Sequence, residues 1–127
     1  MYDNKLYAYP LTAGNGYFLY YNSAYFTSED VTSLDRILDI SAQNRKKTAI
    51  DYSSGWYIYS FFKGAGLEIG LSRDGRSNYC NWNATDTPYK GIDVANAMLA
   101  VAAHDGFINC DDQGFLEGIE NGNIIAG

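Results

Sequence analysis

The sequence predicts an α+β fold, an antiparallel β-sheet built from a hairpin and a three-stranded meander, with two helices packed on one face. Three observations predict it. Aromatic-rich segments flank short glycine turns. Two longer stretches repeat apolar residues at helical spacing. The resulting order, two strands, helix, three strands, helix, tail, lacks the strand–helix alternation of a parallel sheet. With 127 residues the chain fits one domain, 1–127, long enough to bury a core.

Lys5–Tyr9 and Tyr17–Tyr21 are rich in β-forming side chains, and Ala13-Gly14-Asn15-Gly16 between them tolerates positive φ, so the pair reads as a hairpin. Thr27 or Ser28 then caps a first helix, with Glu29 and Asp30 at the positive end of its dipole. Val31, Leu34, Ile37 and Leu38 form its apolar stripe, and Arg45-Lys46-Lys47 falls at the end that favours cations. Trp56–Phe62 reads as a strand, Lys63-Gly64-Ala65-Gly66 as a turn, and Leu67–Ser72 as an alternating strand. The Asp74-Gly75 pair suits a tight turn before a returning strand, Ser77–Asn83. Gly91–Ala103 predicts a second helix, with Val94, Met98, Val101 and Ala102 on one side and Gly106 in a left-handed terminal position. The tail, Phe107–Ile108 and Phe115–Ala126, reads either as a small hairpin or as a turn of helix.

Charge is distributed unevenly. Up to Lys90 there are nine acids and nine bases; after it there is no Lys or Arg, so the net charge of −6 resides in Asp93, Asp105, Asp111, Asp112, Glu117 and Glu120. That asymmetry argues against nucleic-acid binding, which needs cations to replace phosphate counterions. No apolar run is long enough to span a bilayer. Met1–Lys5 does not open a basic-then-apolar leader, and cytoplasmic residence is the resulting expectation. Cys80 and Cys110 are too few for a disulfide framework or zinc site, and free thiols are expected.

Catalytic inventory is thin. The lone histidine, His104, precedes Asp105, but sequence neighbours on a helix point apart. There is no Gly-x-Ser-x-Gly elbow, and neither glycine turn is a phosphate loop. Asp105, Asn109, Asp111 and Asp112 do not have calcium-loop spacing. No metal and no cofactor is therefore expected. A recognition surface is the stronger reading. Twelve tyrosines are far above ordinary usage, and in a meander Tyr57, Tyr59 and Tyr79 share a face near Arg73 and Arg76. The main expectation is a small, acidic, non-enzymatic inhibitor of a protein partner, such as a phage or mobile-element anti-defence module, with Asp111, Asp112, Glu117 and Glu120 as its acidic surface. The second is a binder that sequesters a nucleotide or signal molecule between Arg73, Arg76 and the tyrosines. A small hydrolase using His104 ranks last. An exposed aromatic face is also a candidate homodimer interface.

Overall fold

The computed structural model describes residues 16–127. The expected strand Lys5–Tyr9 and the first three residues of the turn after it lie outside that range. Among the described residues, four helices accompany a parallel sheet, and a separate antiparallel pair follows the second of them. The elements are α1 (Leu34–Gln43), β1 (Lys47–Ala49), α2 (Gly55–Gly64), β2 (Ile69–Leu71), β3 (Asn78–Cys80), α3 (Gly91–Ala102), β4 (Phe107–Ile108), α4 (Asp112–Glu120) and β5 (Ile124–Ala126).

The expected antiparallel meander with two covering helices is not present. Its first strand is helix α2, so only its second half survives, as the β2–β3 hairpin. The main sheet runs β4-β1-β5, with both neighbours parallel to β1. Two strand–helix–strand units thus replace the predicted pattern. The first joins β1 to β4 and the second joins β4 to β5 through α4. Tyr20–Asn22 pairs antiparallel with β5 by backbone bonds to Gly127 and Ile125, so the segment read as half of a hairpin forms the sheet edge.

Local chemistry explains the helices. Ser33, in extended conformation, caps α1 by accepting the Arg36 amide at 3.4 Å. The caps expected further upstream do a different job, since Thr27 and Asp30 bond each other reciprocally and close the 3₁₀ turn Asp30–Thr32. Helix α2 ends in a Schellman motif. Gly66 takes φ +80°, its amide reaches the Lys63 carbonyl (3.0 Å), and the Leu67 amide reaches that of Phe62 (2.9 Å). Helix α4 ends the same way at Gly122. Gly106 is not the left-handed stop expected of it; it is buried, and an added Cβ would meet the Leu38 carbonyl.

The core lies between α1 and the sheet, where Phe26, Ile37, Ile40, Ile125 and Ala126 pack together with Val31 at their margin. Beneath α1, Ser41 and Thr48 are buried and satisfy each other through hydroxyls 2.8 Å apart.

Candidate functional site

Parallel strands all release the chain at one edge of the sheet. In open α/β sheets the crevice beyond those carboxyl ends, at the strand where connections diverge to opposite sides, is where ligands gather. Here β1 is that strand. Its neighbour β4 follows by one connection, and β5 lies on the far side by the next. Beyond the carboxyl ends, β1 delivers Asp51 to the start of α2, and β4 delivers Asp111 and Asp112 to the start of α4.

A hollow opens at this edge in two adjoining parts that share four lining residues. The outer part, 430 Å³, is lined by Asp51, Ser54, Trp56, Tyr57, Asp111, Asp112 and Gln113. The inner part, 630 Å³, shares Asp51, Tyr57, Asp111 and Asp112 and continues along Phe18, Leu34, Phe61 and Leu116 to Gly127. No Lys, Arg or His is among the described residues that line either part. One end is therefore acidic and aromatic, the other apolar.

Two helix N-termini lie beside the three carboxylates that line the hollow. Both α2 and α4 begin at this edge, and their dipoles favour negative charge. Asp111 caps α4 by accepting the Gly114 amide at 2.9 Å. Asp51 Oδ1 accepts both the hydroxyl (2.5 Å) and the amide (2.8 Å) of Ser53, and these bonds hold its carboxyl below the usual range. Tyr57 places its hydroxyl 3.5 Å from Asp112 Oδ1, and the charge of Asp112 raises its phenol above the ordinary value. Tyr17 donates to the Trp56 carbonyl at 2.7 Å while their rings lie 5.2 Å apart, tilted by 35°. Both rings stay open, Trp56 at 49% and Tyr17 at 46% exposure. Burial pushes the Cys110 thiol up, and both cysteines are free.

Helical geometry scatters the residues that a strand would have aligned. Positions 57 and 59 are about 200° apart on a helix. Tyr57 enters the hollow, whereas Tyr59 turns to the hairpin side and stacks on Trp82, centroids 6.5 Å apart. Tyr79 donates to Glu68, which also pairs with Lys63. Arg73 and Arg76 occupy the β2–β3 turn and do not line the hollow. Of the acidic surface, Asp111 and Asp112 line the hollow, while Glu117 and Glu120 are exposed on the later turns of α4. His104 is a clasp between elements, bonded through Nε2 to Asp39 (3.2 Å) and accepting the Gly106 amide at Nδ1 (3.0 Å).

Asp51, Ser54, Trp56 and Tyr17 carry no site signal in the sequence, where Trp56 belongs only to the expected strand Trp56–Phe62. The signal that would find these residues is the parallel sheet itself, because only its carboxyl edge brings them together.

A family model described as bacterial extracellular solute-binding protein matches residues 1–113. No curated protein and no solved structure matches the chain. The family description overturns two expectations. Cytoplasmic residence gives way to an extracellular family, and the inhibitory anti-defence module acting on a protein partner gives way to a family described by the solutes it binds. No helix among the described residues is long and apolar enough to cross a membrane.

Proposed function

The chain belongs to the bacterial extracellular solute-binding protein family, and on that premise we propose that it holds a small, uncharged, hydroxyl-rich solute at the carboxyl edge of its sheet, without catalysis. The observation that carries this reading is the pairing of open aromatic rings with carboxylates in a hollow that no cationic side chain lines among the described residues. Trp56 and Tyr17 offer flat apolar surfaces for the C–H faces of a sugar-like ring. Asp51, Asp111 and Asp112 offer charge-assisted acceptors for its hydroxyls, and the same charges repel anions. A few convergent polar groups in a largely apolar concavity are what small-molecule sites require. The sequence-based alternative, a binder of a nucleotide or signal molecule, shares the solute-binding role of the family, but its Arg73 and Arg76 stand in the β2–β3 turn, apart from a rim that carries three acids.

A thermal-shift and fluorescence screen tests the reading with three classes of probe: neutral mono- and oligosaccharides, organic cations, and nucleotides. A binder at ~100 times its Kd adds about 2.7 kcal/mol. For a domain of this length that raises Tm by on the order of 10 °C. A neutral sugar should do so and should change Trp56 emission, with both responses lost in Trp56→Ala. A response to organic cations alone would replace the hydroxyl-rich solute with a cation held by ring faces and carboxylates. A response confined to nucleotides, or one indifferent to Trp56, overturns the assignment of this hollow.

A further inference from the structure

We infer that Asn109 is a positioning residue that fastens the two acidic walls of the hollow together, an inference that rests on the reading of that hollow as the solute site. The ladder between β1 and β4 ends with the Ile50 amide bonded to the Ile108 carbonyl at 3.2 Å. Past that bond the two chains part, one toward α2 and the other toward α4. Asn109 adds one more rung with a side chain, its Oδ1 accepting the Tyr52 amide at 2.8 Å across 57 residues of sequence. The rung has an acid on both sides of it: Asp51 precedes Tyr52, while Asp111 and Asp112 follow Asn109.

Without the rung the backbone ladder between the two walls stops at Ile50, and like charges carried on both walls do nothing to hold them together. Tyr52 gives the rung a firm anchor. Its ring meets Phe61 edge-on at 5.7 Å and Phe107 at 5.0 Å, and its hydroxyl donates to the Met98 carbonyl at 3.3 Å. Asn109 itself is exposed and lines neither part of the hollow. Its effect on a solute therefore passes through Asp51 and Asp111.

The test compares the whole chain with Asn109→Ala and Asn109→Asp. In the solute-free protein, Asn109→Ala should deprotect the Tyr52 amide in hydrogen exchange. Tm should change little. Asn109→Asp keeps the acceptor but adds a like charge, so it should resemble the Ala variant at low salt and the parent in 1 M NaCl, where charges are screened beyond about 3 Å. With a sugar that binds the parent, Asn109→Ala should weaken affinity ~3- to 10-fold, the range of one net hydrogen bond. An unchanged Tyr52 amide in Asn109→Ala would overturn the inference, as would an Asp variant indifferent to salt. If no sugar binds the parent, the solute reading fails, and the exchange measurement still decides the rung.

Discussion

Arg45 ends helix α1 with φ 56°, the left-handed conformation that side chains with a Cβ resist. Its amide bonds the Ala42 carbonyl (2.9 Å) and the Lys46 amide bonds that of Ser41 (2.8 Å), the same termination that glycine provides in α2 and α4. Arg45 is exposed and makes no side-chain hydrogen bond among the described residues, so Arg45→Gly should stabilise the protein by roughly 0.5–1 kcal/mol in urea unfolding. The buried hydroxyl pair behaves differently. Thr48→Val strands the Ser41 hydroxyl and should cost about 1–3 kcal/mol, while adding Ser41→Ala should recover part of the loss. At the hollow, the Ser53 donors keep Asp51 ionised below the usual carboxylate range. Ser53→Ala should then move the acid limb of solute affinity to higher pH, which calorimetric titration across pH 3 to 6 would reveal.

Helix α2 shows where element type stops being legible. Trp56-Tyr57-Ile58-Tyr59-Ser60-Phe61-Phe62 consists of strand-favouring side chains, and a short apolar run has no period that separates a helix from a strand. It folds as a helix because it has apolar neighbours on two sides. Tyr57 and Phe61 face the hollow, while Tyr59 and Phe62 meet Trp82, the Phe62 and Trp82 rings stacking at 3.8 Å. The glycines after it fit a hairpin turn and a helix stop equally well in sequence. With φ +80° at Gly66 and open space around its Cα, Gly66→Ala should cost about 1 kcal/mol from conformation alone. By contrast, α1 and α3 were legible, because Ile37, Leu38, Val94 and Val101 repeat at helical spacing and are buried as that spacing requires. The hairpin β2–β3 was legible from its alternation and the Asp74-Gly75 turn. Sheet direction was not, because three-residue strands leave no trace of whether their neighbours run with them or against them. Of the candidate site, the sequence offered Tyr57, Asp111 and Asp112. Misreading α2 hid Trp56, and the unread parallel sheet hid Asp51, Ser54 and Tyr17.

Across the whole molecule, the acid and alkaline limits of stability have separate origins. Asp30 is held at about 2 by Thr27 and Arg36, and Asp51, Glu68 and Asp74 are each lowered by hydrogen bonds. A lowered carboxyl supports the fold above its unfolded value, near 3.8 for Asp30, and loses that support as pH falls toward the folded one. Unfolding midpoints in urea should accordingly drop between about pH 4 and 2, less steeply in Asp30→Asn. At the other limit, burial pushes Tyr52 up to about 12, so its contribution is complete below 10 and lost as pH climbs toward the folded value. The parallel pairing carries a further, kinetic consequence. Thr48 is joined to Phe107 on one side and to Ala126 on the other, so the central strand waits for most of the chain to arrive. The β2–β3 hairpin closes over few residues. Refolding should show early hairpin protection and a much slower arrival of the sheet, because loop-closure entropy delays contacts between distant parts of a chain. The solute hollow is assembled at the edge of that late sheet, so binding competence should be the last property to return.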